Sequence, residues 1–216
     1  MGESKKKVTY FRGSEQLELN GKKLNFRIIQ FWRMKLSSIQ ETMTRGSFAE
    51  FLVACALNEH GIPALEPDNK VGTDAWDIDG PEIEAAGKKR LSRIEVKSTA
   101  NVHINTPDEK EPVSLLPSQL KFSIRKAIDW NHEKLGSRRH SDVYVFCCYK
   151  ATRKEQNMLD LGLWEFFVLP TWRIDEDKFL QERNYVSVYR LQEMGVQPVG
   201  FEQLYDAITE ALKTVK

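Results

Sequence analysis

Apolar residues recur at three- and four-residue intervals through Phe48, Leu52, Val53, Ala56 and Leu57. That period predicts an amphipathic helix over Thr44 to Gly61, capped by Thr44 or Ser47 and stopped by the glycine. A short strand is expected at Ile62–Leu65, with Pro63 suited to an edge. Beyond a polar loop from Glu66 to Gly72, Trp76-Asp77-Ile78-Asp79 and Leu91–Thr99 read as two strands of an antiparallel hairpin, broken by Gly80-Pro81 and turned near Gly87. Asn101–Pro112 reads as a loop. Leu115–Trp130 then repeats the helical period through Leu116, Leu120, Ile124, Ala127 and Ile128, which predicts a second amphipathic helix. Asp142–Tyr149 has the continuous apolar run of a buried central strand, and Leu163–Pro170 reads as another strand. Thr171–Arg183 reads as partly helical, Tyr185–Leu191 as a short strand, and Gly200–Val215 as a closing helix with the stripe Phe201, Leu204, Tyr205, Ile208 and Leu212. Before all of these, Val8–Phe11 and Leu17–Leu24 around Asn20-Gly21 read as short strands, followed by a basic and aromatic segment from Phe26 to Lys35. The chain thus divides into an N-terminal arm or hairpin, 1–43, and a single α/β domain, 44–216.

Composition narrows the classes. With 216 residues, 41% of them hydrophobic, the chain can bury a full core. Lys+Arg 32 against Asp+Glu 31 gives no global basic signal, so any nucleic-acid surface has to come from local segregation of charge. Three cysteines, two of them adjacent in the apolar run at Cys147-Cys148, suit reduced thiols and a cytoplasmic location. No apolar run has the length of a membrane span, and Lys5–Lys7 precede no apolar stretch of the secretory kind, so no membrane partner is expected. Gly-x-Ser-x-Gly, P-loop and Gly-x-Gly-x-x-Gly segments are absent, which argues against serine hydrolases, nucleoside triphosphatases and dinucleotide enzymes.

The chemistry concentrates in the hairpin. Strand side chains alternate, so Glu95 and Lys97 of Glu95-Val96-Lys97 share a face, and antiparallel pairing can bring Asp77 beside them. Two carboxylates suit Mg2+ or Mn2+, which take oxygen ligands, waters and substrate phosphate. A lysine beside them can orient water and stabilise developing charge. Asp74 and Asp79 compete for the aspartate position; Asp77 is preferred because Asp79 abuts the Gly80-Pro81 break and Asp74 lies in the loop. His103 and His140 lie near in sequence and read as hydrogen-bonded surface residues.

In this order the residues resemble the PD-(D/E)XK nuclease superfamily, which includes many restriction endonucleases and Holliday junction resolvases. The resemblance covers roughly Thr44 to Ala127: a helix with an inward glutamate, Glu50; a strand with Asp77; the Glu95-Val96-Lys97 tripeptide; and a following helix with a glutamine, Gln119 in Leu116-Pro117-Ser118-Gln119-Leu120-Lys121. Trp76 stands where the family's proline precedes the aspartate. The resemblance implies a restriction endonuclease-like mixed central sheet flanked by helices, with an α-β-β-β-α-β core and added C-terminal strands and helix. It implies metal binding by Asp77, Glu95 and the backbone carbonyl of Val96, with Glu50 in the metal network. Lys97 would assist the attacking water, and Gln119 would support the site or touch the DNA backbone.

Lys121, Arg125 and Lys126 on the predicted second helix, with Arg138 and Arg139 beyond it, form a basic cluster suited to phosphate contact. The expectation is a Mg2+- or Mn2+-dependent endonuclease acting on duplex or branched DNA, with a homodimer as an expected assembly. Two alternatives stand beside it: a non-catalytic DNA-binding or scaffold protein on the same fold, and a nuclease acting on RNA.

Overall fold

A computed structural model describes residues 11–65, 75–102, 112–128, 136–154 and 156–215. Val8 to Tyr10, the whole loop from Glu66 to Gly72, Asp74, His103 and Lys134 lie outside the described residues.

The N-terminal segment forms a hairpin of β1, Gln16–Leu19, and β2, Lys22–Arg27, followed by α1, Ile28–Leu36. Asn20 and Gly21 both take positive φ, 52° and 78°. That is the two-residue turn the Asn-Gly dipeptide predicts. Helix α2, Thr42–Asn58, buries Ala49, Leu52, Val53, Ala56 and Leu57 on its inner stripe. Residues 62–65 form no strand. Pro63 has no N–H to offer a ladder, and the neighbouring backbone is spent on a helix-end bond from Ile62 N to Leu57 O.

The central sheet has four strands, Ile78–Ala85 (β3), Lys88–Ala100 (β4), Val143–Tyr149 (β8) and Trp164–Pro170 (β9), in the order β3-β4-β8-β9. Strand β3, Ile78–Ala85, and β4, Lys88–Ala100, form an antiparallel hairpin closed by Ala86 and Gly87, at φ 52° and 71°. An irregularity between Asp79 and Glu82 accommodates Gly80-Pro81 within β3. A side chain at Gly80 would place its Cβ 2.5 Å from Ser92 Oγ, so only glycine lets the two strands approach there.

The connection from β4 contains β5, Lys121–Ser123, β6, Ala127–Ile128, and β7, Ser137–Arg138. Strand β8, Val143–Tyr149, then enters the sheet parallel to β4, with every residue buried. Strand β9, Trp164–Pro170, follows antiparallel to it. Next come α3, Thr171–Glu176; β10, Tyr185–Ser187; α4, Val188–Glu193; and α5, Leu204–Leu212. The architecture is mixed α/β.

Each face of the sheet has its own core. Ile94, Val96, Val143, Val145 and Cys147 pack with α2 and α5. Tyr144, Phe146 and Cys148, of opposite parity, pack with Leu120, Phe122, Ile124, Ile174 and Leu191.

The amphipathic helix expected over Leu115–Trp130 is corrected. Leu116–Gln119 is a turn, and Phe122 and Ile124 alternate inward as strand residues. Strand β5 pairs with β10, setting Val186 opposite Phe122. Leu120, Ile124 and Ile128 satisfy a period of four as well as a period of two, so the apolar spacing fits both structures; the distant pairing with β10 decides between them. The strand expected at Tyr185–Leu191 is likewise shortened to Ser187, whose hydroxyl accepts the N–H of Arg190 and starts α4.

Among the described residues, no helix is long and apolar enough to cross a membrane.

Candidate metal centre

The site forms where β3 ends and β4 continues. The last ladder bonds join Ile78 to Ile94, and just beyond them Asp77 N donates to Ile94 O at 3.0 Å. On β4, Val96 lies two residues past Ile94 and presents its backbone to the same side, where no described strand pairs with it. The Asp77 carboxylate fills that place: Oδ2 accepts the Val96 N–H at 2.7 Å. This bond fixes the aspartate relative to the Glu-x-Lys strand.

Glu95 and Lys97 leave β4 on the face that also carries Tyr144 and Phe146, their register partners on β8. Lys97 then folds back over the open edge of its strand. Its ammonium pairs with the Glu95 carboxylate, lies 3.6 Å from Asp77 Oδ2 and donates to Val96 O at 3.1 Å. The Lys97, Asp77 and Glu95 side chains retain 28%, 26% and 17% of their exposure, so the cluster is sheltered and still reachable.

Glu50 enters from α2, on the other face of the sheet. It is partly buried, and its carboxyl is pushed up to about 7, first by burial and then by the Asp77 carboxylate, with Lys97 opposing. Burial and Asp77 likewise raise the Glu95 carboxyl, against the pull of Lys97. Burial by itself would lower the Lys97 ammonium, but Glu95 and Asp77 outweigh it and raise the group, so the lysine is held protonated. Three carboxylates therefore share one cation.

The oxygens that the sequence reading assigns to a divalent cation, from Asp77, Glu95 and the Val96 carbonyl, all converge on the Lys97 ammonium. They are hard donors of the kind Mg2+ and Mn2+ take, and the excess of carboxylate favours a further cation. Among the described residues no group of three or more His, Cys, Asp or Glu side chains is gathered to hold a metal. A divalent ion here would rest on two carboxylates, one carbonyl and waters, with Glu50 acting from the outer network.

The competing Asp79 is engaged elsewhere. It accepts the Trp76 indole N–H at 2.8 Å, and Trp76 in turn lies under the Arg93 guanidinium, 4.5 Å from its ring centroid. Gln119 is exposed in its turn, where Oε1 accepts the Leu116 N–H at 2.8 Å; no described hydrogen bond ties it to the acid and lysine cluster.

The basic cluster divides. Lys121, Arg125, Lys126 and Arg138 are exposed. Arg125 donates to Tyr185 OH at 2.7 Å, and Lys126 pairs with Glu182 at 3.0 Å. Arg139 does not belong to this surface. Its side chain is fully buried, donating to the backbone carbonyls of Ile124, Leu180 and Arg183 and pairing with Asp175 at 2.6 Å. It ties the β5 segment to the chain before β10 and cannot reach a phosphate. His140 is also interior, with a ring nitrogen 3.0 Å from Ala127 O, rather than on the surface.

One positioning contact has little sequence signal. Asp142, at the entry to β8, takes both terminal nitrogens of Arg90 at 2.6 Å and the Arg93 N–H at 2.8 Å. The pair clamps the hairpin to the central strand. The only cue was an arginine in a basic triplet and an aspartate before an apolar run.

No family model matches the chain, and the searches of curated proteins and of solved structures likewise found no match.

Proposed function

We propose that this chain is a divalent-metal-dependent endonuclease that hydrolyses DNA phosphodiester bonds, built on a restriction endonuclease-like core. One observation carries the reading: Asp77, Glu95 and the Val96 carbonyl converge on the Lys97 ammonium beside a stretch of β4 that no described strand pairs on that side. The resemblance of the same residues to the PD-(D/E)XK superfamily supplies DNA as substrate and Mg2+ or Mn2+ as cofactor.

When bound, the divalent cation would supply Lewis-acid polarisation of the scissile phosphate and charge neutralisation. Asp77 and Glu95 would hold it, with the Val96 carbonyl between them. Lys97 is kept protonated by its two carboxylates, so it acts as a hydrogen-bond donor and a fixed positive charge beside the phosphate oxygens and the attacking water. Glu50, whose carboxyl is raised to about 7 by burial and the Asp77 carboxylate, would act from the outer network of the metal. The exposed Lys121, Arg125, Lys126 and Arg138 would meet backbone phosphates, which position a strand without reading its sequence.

The test is a cleavage panel of supercoiled, linear, single-stranded and branched DNA, with RNA alongside, in Mg2+ and in Mn2+. Wild-type protein should cut DNA only with the metal, and Asp77→Asn, Glu95→Gln and Lys97→Ala should each lose cutting. Full activity in all three variants would sink the reading; cutting confined to RNA would move the substrate class.

A further inference from the structure

Beside the paired strands β5 and β10 lies an open cavity of about 470 Å³, lined by Lys121, Phe179, Arg183, Tyr185 and Arg190 among others. Two half-exposed rings border it, Phe179 and Tyr185. Guanidinium groups already lie on both: Arg183 is 4.7 Å and Arg190 5.5 Å from the Phe179 centroid, and Arg125 is 5.3 Å from that of Tyr185.

The charge here is unbalanced. Arg190 is matched by Asp177 at 2.7 Å, and Glu182 at the rim is taken by Lys126. Among the described residues, Lys121, Arg183 and Arg125 have no carboxylate partner. Cations left without acids beside half-exposed aromatic rings match a ligand that is both anionic and flat. A nucleotide has that chemistry: its base offers a π-face and its phosphate a charge.

The cavity also sits in the right layer. Strand β5 covers the sheet face that bears Glu95 and Lys97, with the Phe122 ring 5.0 Å from Phe146, the register partner of Lys97. Phe122 points inward, so Lys121 beside it points outward to the cavity. Strand β5 is thus the layer between that sheet face and the cavity.

We propose that the cavity beside the β5–β10 pair is a subsite for an unpaired nucleotide of a nucleic-acid strand, its base stacked on Tyr185 and its phosphate met by Lys121 and Arg183. The subsite rests on the nuclease reading for the identity of the polymer, and it adds a preference for substrates carrying a single-stranded segment. Duplex DNA keeps its bases stacked inside and offers the cavity only phosphates.

The experiment measures binding without metal, by fluorescence anisotropy with a labelled oligothymidylate and with a duplex of equal phosphate count. The wild type should prefer the single strand. Tyr185→Ala should weaken oligothymidylate binding about tenfold, with little effect on the duplex, whereas Tyr185→Phe, which keeps the ring and loses only the hydroxyl bonded to Arg125, should bind like wild type. Lys121→Ala, at an exposed position, should lower the salt dependence by about 0.7 in log–log slope, the value for one phosphate contact on a single strand. Equal binding by Tyr185→Ala and wild type, equal loss in Tyr185→Ala and Tyr185→Phe, or no wild-type preference for the single strand would each overturn the subsite. Metal-dependent cleavage is scored separately with Asp77→Asn: cutting with an indifferent Tyr185 rejects the subsite alone, and preserved Tyr185-dependent binding with no cutting rejects the nuclease reading alone.

Discussion

The Asp77 carboxylate stands in for a missing strand, accepting the Val96 N–H at 2.7 Å where β3 no longer reaches. It therefore has two separable properties, an acceptor oxygen and a charge. Asp77→Asn keeps an acceptor and should fold with near wild-type stability while losing cleavage. Asp77→Ala loses both and should also cost about 1–2 kcal/mol, because the Val96 N–H is left without its protein partner. Thermal unfolding of the two variants beside cleavage assays checks the separation; equal stability would show that the hydrogen bond contributes nothing.

Lys97 occupies the point on which the Asp77, Glu95 and Val96 oxygens converge. Without metal, Lys97→Ala should lose on the order of 2 kcal/mol, between the values for exposed and for buried pairs, since Glu50, Asp77 and Glu95 are left facing one another. Added Mg2+ should then raise its melting temperature more than it raises that of the wild type. A smaller Mg2+-dependent shift in the variant would contradict this electrostatic account.

Glu50 sets a pH dependence in the metal-free protein. Its carboxyl is raised from 4.5 to about 7 in the folded chain, so the folded state holds a proton that the unfolded chain releases first. Stability should be greatest below about pH 4.5 as far as this group is concerned, fall as pH rises to about 7, and level off above. Glu50→Gln should remove that fall. The check is the difference between wild-type and Glu50→Gln melting curves across this window in EDTA; a constant difference would count against it.

Two charged pairs hold the fold around the site and should affect stability first. Asp142→Ala strands Arg90 and removes the acceptor of Arg93 N, and Arg139→Ala removes four hydrogen bonds, two of them fully buried. Each should cost about 3 kcal/mol by denaturant unfolding. Arg139→Ala should leave the salt dependence of DNA binding at its wild-type slope, because its guanidinium is never exposed, whereas Arg138→Ala should lower it.

Much of this was legible where local pattern and tertiary demand agree. The α2 stripe, the all-apolar run of β8 and the Asn20-Gly21 turn each encode their conformation within a few residues. The Glu95-Val96-Lys97 tripeptide could be placed because strand alternation alone puts the acid and the lysine together. The segment after Gln119 was not legible, because Leu120, Ile124 and Ile128 fit a helix as well as a strand and the arbiter is Val186, far along the chain. Arg139 was misplaced for a related reason. An arginine in a basic run gives no sign that three backbone carbonyls and Asp175 are waiting for it inside.

The early end of β3 has a further consequence for how this protein behaves at high concentration. A strand edge whose N–H and C=O groups face outward invites another chain to pair with it, the first step of aggregation. On β4 that edge is blocked at Val96 by a carboxylate on its N–H and an ammonium on its C=O. The groups proposed for cleavage are thus also ones that cap this edge, and a variant stripped of both Asp77 and Lys97 would exchange a candidate site for an adhesive edge.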